Sequence, residues 1–490
     1  MDYYSKYLKY KKKYLNLKNN NVISSNIKNK YSQIGAGNPI KNNQYISIVR
    51  FSKRHNITTN KKPTNLFSSR KEFKNLSKWI EESKTRLLST KDKNGEFNYN
   101  DDKFKLFNYK QINKLLFQVT NILNKDFNNT NKWILNKIPN IDKNNKNTDP
   151  VFIQKVNINN KNAKIAIIGD IHSSLHSLID ILDNLNQNNY FSDPGNLRLR
   201  NNRYIFFLGD LIDRGAYSLE VIILAFILKH KNPYNVYIIN GNHEDYEMYS
   251  QDSEHAGTSE EIKKQLPELN RDYLSALFYL PSAIYLNFNG NIYHLSHGAF
   301  DYKFSGFNDK GYYQDDKNYL RDFLDSNKEY ALINDFGPDN LYKWGDFDQN
   351  EINFNPFTNI RVKFGPKIIE EYCTKNGITS LITGHQDLIS FGVIVYDDQQ
   401  ELIDNNKDNT ILGNTIDGSN VYKYINSEIY ANHYNGYLYE IRPIDKKYND
   451  PINGRVHLKT GDDFIACVTS TATIAKNIPQ NTYLELYDKY

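Results

Sequence analysis

The chain has 490 residues, 39% of them apolar, enough for two or three domains rather than one. Its two cysteines, Cys373 and Cys467, lie far apart and in no metal-ligand spacing, which argues against a disulfide scaffold and fits a reducing compartment or indifference to redox. The net charge of +6 divides sharply: residues 1–150 hold 31 of the 62 basic and 11 of the 56 acidic side chains, leaving 31 against 45 for 151–490, or +20 against −14.

Tyr3, Tyr7, Tyr10 and Tyr14 fall at helical spacing, with Leu8, Leu15 and Leu17 nearby and lysines between them, so the start is expected to form a basic amphipathic helix. Such a helix suits an anionic partner, a membrane surface or a nucleic acid, or docks on its own protein. This Tyr-Leu-Lys pattern resembles the starts of many giant-virus proteins. The start has neither a signal-peptide apolar region nor a myristoylation glycine, so a cytoplasmic protein is expected, in a host cytoplasm or virion if the origin is viral. Residues 18–70, rich in Asn, Ser and Lys, read as a linker with at most short strands. Within 71–150, Phe73, Leu76, Trp79, Ile80 and Leu87 mark one helix, and Leu115, Val119, Ile122 and Leu123 a second; together they form a small helical module.

From 151 the pattern changes. Ile165-Ala166-Ile167-Ile168, Tyr204-Ile205-Phe206-Phe207-Leu208 and Val236-Tyr237-Ile238-Ile239 are apolar β-type runs. They end in Gly169-Asp170-Ile171-His172, Gly209-Asp210-Leu211-Ile212-Asp213-Arg214-Gly215 and Gly241-Asn242-His243-Glu244. Buried strands that stop at such polar turns deliver carboxylates, imidazoles and an amide to one rim of a sheet, where α/β folds bind ligands. Oxygen and nitrogen donors of this kind suit hard to borderline metals. The apolar stretch 219–228 contains Glu220 and is too short to span a bilayer; it reads as the buried crossover helix between two parallel strands, and no transmembrane segment is expected.

Ser296-His297-Gly298, Trp344-Gly345-Asp346 and Gly384-His385-Gln386 follow in the same order. Taken with Asp-Arg-Gly and Asn-His-Glu, these blocks resemble the calcineurin-like metallophosphoesterases of the phosphoprotein (serine/threonine) phosphatase type, over roughly 164–443. The resemblance implies an α/β sandwich of two mixed β-sheets flanked by helices, here with a mostly helical N-terminal extension. A catalytic domain at 151–445 and a tail at 446–490 are expected.

Phosphate-ester hydrolysis needs a nucleophilic water, neutralised phosphoryl oxygens and a proton for the leaving oxygen. Two metals about 3.5–4 Å apart can share a hydroxide and clamp the phosphoryl group. The resemblance implies that Asp210 bridges two divalent ions (Mn, Fe or Zn), with Asp170 and His172 on one and Asn242, His297 and His385 completing the other. It implies Arg214 as a phosphate clamp. His243 is the candidate general acid, with Asp213 orienting its ring. Arg361 is either a second clamp or a solvated arginine. His176 is read as a surface histidine, His294 as a packing residue in a strand, and His433 as a strand histidine.

The sequence departs from the family at Ser173, Ala299 and Gly345, each in place of another small residue, and lacks its C-terminal Ser-Ala-Pro-Asn-Tyr loop. The inserted stretches 186–203 and 300–340 stand where loops set specificity. The resemblance, through Asp-Arg-Gly and Asn-His-Glu, implies a phosphorylated protein as substrate. Alternatives are a nucleotide, a dinucleoside polyphosphate or an RNA phosphodiester, or a virion structural role with a vestigial site. The −14 charge weighs against a long polyanion.

Overall fold

The computed structural model describes residues 44–52, 109–134, 151–215, 217–245, 258–265, 276–308, 312–333, 341–347, 362–386, 391–394, 411–415, 420–424, 439–441, 454–459, 466–469 and 480–488. The expected basic helix at the start, the helix marked by Phe73 to Leu87, Arg361 and His433 lie outside these residues. The described residues all belong to one compact unit.

Its framework is a hydrogen-bonded ladder folded into two sheets. One sheet runs, in spatial order, Ile411–Thr415, Gly454–Lys459, β1 (Gln44–Ser52), β10 (Gln480–Asp488), β3 (Lys164–Ile168), β4 (Arg203–Phe207) and β5 (Val236–Ile238). The other runs Tyr330–Leu332, β2 (Phe152–Ile158), β6 (Ala283–Phe288), β7 (Asn291–Ser296), β8 (Ile378–Thr383), β9 (Ala466–Thr469), Phe391–Ile394 and Tyr439–Ile441. Asn420–Tyr424 joins them, pairing with Ile411–Thr415 on one side and Tyr439–Ile441 on the other. Both sheets are mixed: β3, β4 and β5 pair in parallel, as do β7 and β8, while β10 and β3 are antiparallel.

Three apolar layers follow from the alternation of side chains along these strands. Ile165, Ile167, Phe206 and Leu208 face Ile284, Leu286, Leu295 and Ile382 between the sheets. Outside the first sheet pack α1 (Tyr109–Phe127), α2 (Leu175–Gln187), α3 (Ser218–Lys231) and α4 (Thr258–Gln265). Outside the second pack α5 (Tyr319–Asp325), α6 (Leu341–Trp344) and α7 (Pro366–Asn376). Helix α3 is buried from Ser218 to Lys229, which explains a segment apolar on every face; Glu220 in its first turn and Lys229, His230 and Lys231 in its last complement its dipole. In α1 the expected face is the packed one, with Leu115 and Val119 buried and Leu123 against the core.

The first sheet draws in strands from both ends of the described chain. β1, from the stretch read as a linker, pairs along its whole length with β10, from the stretch read as a tail. β10 in turn pairs with β3, one of the strands that carry the site. Ile46, Ile48, Leu484 and Leu486 are fully buried, so these two strands supply core to the sandwich. The inserted stretch 300–340 supplies a hairpin (Ser305–Phe307 with Tyr313–Asn318), α5 and the edge strand Tyr330–Leu332. Lys155 of β2 ties this insertion down, donating to the carbonyls of Phe323, Leu324 and Ser326 at the C-terminal end of α5. Among the described residues no helix is long and apolar enough to cross a membrane.

Candidate active site

The strands β3, β4, β5, β7 and β8 all end at the same edge, and each delivers site residues in the turn that follows. These turns are strained. Nine non-glycine residues have positive φ among those described, and six of them are His172, Ser173, Asp210, Asp213, Arg214 and His385. Residues held there persist only where the surroundings over-determine them. Gly209 shows what the close approach demands: at φ +95°, a Cβ there would lie 2.5 Å from the amide nitrogen of Gly241.

Asp210 stands at the centre. Its Oδ2 is 3.3 Å from His172 Nε2 and 3.1 Å from His297 Nε2, and all three side chains are buried. Two three-residue clusters therefore share it: His172, Asp210 and His243 on one side, Asp210, His297 and His385 on the other. Asn242 Oδ1 lies 2.9 Å from His297 Nε2 and 3.2 Å from His385 Nδ1. Asp170 Oδ1 accepts the backbone N–H of His385 at 3.1 Å and stands 3.7 Å from His297 Nδ1. All six residues expected as ligands are thus brought to one buried centre.

The donor set fits cations. His172 Nδ1 and His297 Nδ1 face the carbonyls of Ile212 and Leu208, each at 3.1 Å, so the ring hydrogens point there and the Nε2 lone pairs point inward. Around His297 Nε2, the oxygens of Asn242 and Asp210 then set acceptor against acceptor. Only a positive charge reconciles such a group. Ligand atoms about 2.1 Å from one cation stand about 3.0–3.4 Å from each other, the spacing seen here. The electrostatics agree. Burial resists the charged form of His297, but Asp210 and Asp170 push its pKa up to about 9. Burial likewise resists ionisation of Asp210, yet His297, His243 and His172 hold it well below the usual carboxylate range.

Beside the centre, His243 Nδ1 is 3.0 Å from Asp213 Oδ2, and its Nε2 is buried without a hydrogen-bond partner. Burial opposes the imidazolium, but Asp210 and Asp213 raise its pKa above the usual value. Arg214 is half-buried next to this pair, in left-handed backbone at φ 57°. His176 is half-buried rather than at the surface, edge-on to the Tyr217 ring at 5.6 Å. His294 is buried inside β7, its Nδ1 2.6 Å from the Tyr372 hydroxyl.

Three further residues emerge only from the fold. Glu244 accepts the backbone N–H groups of Asp210, Leu211 and Gly241, each at 2.8 Å, and so clamps the second motif to the third. Asp346 Oδ1 lies 3.5 Å from His385 Nε2, with Trp344 edge-on to the same ring. Thr258 bonds to Asp213 through both its N–H and its hydroxyl. Glu244 and Asp346 sit inside motifs already singled out, so their position was a usable signal; nothing near Thr258 marks it. Two departures from the family pattern meet in space. A Cβ at Gly345 would lie 2.7 Å from the Ala299 methyl and 2.8 Å from the Leu341 carbonyl oxygen, so both press on the position that has no side chain here.

Residues 163–387 match the family model described as Calcineurin-like phosphoesterase. This segment is a calcineurin-like metallophosphoesterase domain. The metallophosphoesterase is similar to serine/threonine-protein phosphatase SIT4 of Candida albicans, 32% identical over 20% of this chain and 29% of that protein. It is similar to serine/threonine-protein phosphatase T of Aspergillus oryzae, 27% identical over 46% of this chain and 41% of that one. It also resembles the solved structure of a protein serine/threonine phosphatase from Saccharomyces cerevisiae, with TM-score 0.41 and 18% identity over 60% of this chain and 76% of that chain. The metallophosphoesterase thus spans less than half the length of these curated relatives.

Proposed function

We propose that this metallophosphoesterase hydrolyses phosphate monoesters with two divalent metals, and that its substrates are phosphoserine or phosphothreonine in proteins. The observation that carries the reading is Asp210, shared by two buried clusters of potential ligands, one of which includes His243, itself 3.0 Å from Asp213. Asp170, His172 and Asp210 would hold one ion, and Asp210, Asn242, His297 and His385 the other. Bound there, the metals supply a low-pKa water and neutralise phosphoryl oxygens. The chain's own residues do the rest. The Arg214 guanidinium, always charged, offers its fork to phosphate oxygens. Asp213 fixes the His243 ring through Nδ1 and favours its protonated form, so Nε2 carries the proton the leaving oxygen needs. Serine and threonine alkoxides are poor leaving groups, which makes such a donor valuable. The Asp-Arg-Gly and Asn-His-Glu blocks and the curated relatives favour a protein substrate over a nucleotide.

The test is hydrolysis with added Mn²⁺ by wild type beside His243→Ala, offering a phosphothreonine peptide, a diadenosine polyphosphate and a bis-aryl phosphodiester. Peptide turnover lost in the variant is the expected result. Turnover of only the nucleotide or the diester would move the function to that substrate class and overturn the protein-phosphatase reading.

A further inference from the structure

Asp213 is held from every side. Its Oδ2 faces His243, while its Oδ1 accepts the Thr258 hydroxyl at 2.6 Å and the Thr258 amide at 3.1 Å. Its own N–H is shared between Thr258 Oγ1 and Ser218 Oγ, both at 3.3 Å. Ser173 Oγ meets the Asp213 carbonyl at 3.0 Å and Ser218 Oγ at 2.7 Å. Asp213, Thr258, Ser218 and Ser173 are all buried.

Thr258 opens α4, and that helix is itself anchored. Glu261, one turn on, accepts the N–H groups of Ser218 and Leu219 at 2.8 and 3.2 Å, the first amides of α3. One short helix therefore clamps two things together: the start of the buried crossover helix and the carboxylate behind His243. A carboxylate with one oxygen doubly bonded cannot rotate, so the other oxygen is left in one place for the imidazole. A buried Asp213 without these donors would turn to satisfy itself, and the His243 ring would turn with it.

We infer that Thr258 is a positioning residue for proton donation: its hydroxyl and amide lock Asp213 so that His243 presents Nε2 to the leaving oxygen. This rests on the general-acid reading of His243 given above. Thr258 touches no reacting atom, and its effect should scale with how badly the leaving group needs a proton.

The experiment uses the full chain with Mn²⁺ and compares wild type, Thr258→Val, Thr258→Ser and His243→Ala. Each is assayed on a phosphothreonine peptide, whose leaving group is an alkoxide, and on p-nitrophenyl phosphate, whose leaving group needs little protonation. Thr258→Val should lower kcat on the peptide about tenfold, a fraction of the 10²–10⁴ typical of a whole general acid, with KM changed less than about twofold. On the aryl ester its loss should stay under about threefold, and Thr258→Ser should restore most of the peptide rate. In the same variants loaded with diamagnetic Zn²⁺ in place of Mn²⁺, the downfield proton signal of the His243–Asp213 bond, assigned by its disappearance in His243→Ala, should broaden in Thr258→Val and return in Thr258→Ser.

Equal losses on both esters, no rescue by serine, or an unchanged proton signal would overturn the inference. If His243→Ala itself fails to discriminate between the esters, the general-acid reading falls first and this one with it. If His243→Ala discriminates and Thr258→Val does not, only the role of Thr258 falls.

Discussion

Replacing Glu244 should perturb the proposed metal centre without removing any of its candidate ligands. The carboxylate takes three backbone N–H groups at 2.8 Å, two of them from Asp210 and Leu211 and one from Gly241. Burial and the neighbouring Asp210 charge push its pKa up to about 7, so it is held in place against a real cost. In Glu244→Gln the amide oxygen can replace Oε2, which serves Asp210 and Gly241, but the amino group then confronts the Leu211 N–H. One bond is lost and donor faces donor, an expected cost of about 2 kcal/mol. Glu244→Ala strands all three N–H groups in a dry site; at about 1–3 kcal/mol each, the expected loss is about 4 kcal/mol or more. Because the stranded amides belong to the turn that carries Asp210, metal affinity should fall by about 10–100-fold in the glutamine variant. Urea unfolding gives the stability, and Mn²⁺ titration by calorimetry gives the affinity. Wild-type stability and wild-type affinity in Glu244→Gln would refute the clamp.

Two other outcomes follow from the same geometry. Asp210→Asn should reduce bound metal from two ions to one or fewer and activity below about 1%, since the amide carries no negative charge and keeps its oxygen for the His243 N–H, turning its amino group to the position shared by His172 and His297; two retained ions with more than a tenth of the activity would count against the bridge. Asp301 is buried, and burial raises its pKa to about 6 although it accepts the Phe304 N–H. A folded pKa above the unfolded 3.8 means that its contribution to stability is fully present below about pH 4 and is lost as pH rises through 6. Asp301→Asn keeps the acceptor and removes the charge, so it should be more stable than wild type by up to about 3 kcal/mol at pH 8 and by about half that at pH 5. Urea midpoints at the two pH values check this, and a difference independent of pH would refute it.

The centre was legible from the chain because its parts are local. Each ligand follows an apolar strand within a few residues, and a strand that ends at Gly-Asp or Gly-Asn puts its polar residues at the rim whatever the rest of the fold does. The apolar stretch 219–228 was equally plain, since a helix apolar on all faces has to be central. Glu244 was visible as part of Asn-His-Glu, but its three acceptor bonds reach amides in two different turns, and no spacing along the chain encodes that. Ala299 and Gly345 read as two separate departures until their side-chain volumes met in space.

What the sequence alone could not determine is long-range pairing. β1 and β10 lie more than four hundred residues apart in the chain yet pair residue for residue, placing both ends of the described chain in the sheet that carries Asp170 and Asp210. A nine-residue strand has the same local pattern wherever its partner lies, so neither stretch announces its place. Thr258 is the same case at the site: an ordinary residue by type, made consequential by Asp213, which the fold of the intervening chain brings within 2.6 Å. Local patterning and the family resemblance pointed to the candidate ligands and reaction; only tertiary packing decided which groups hold them still.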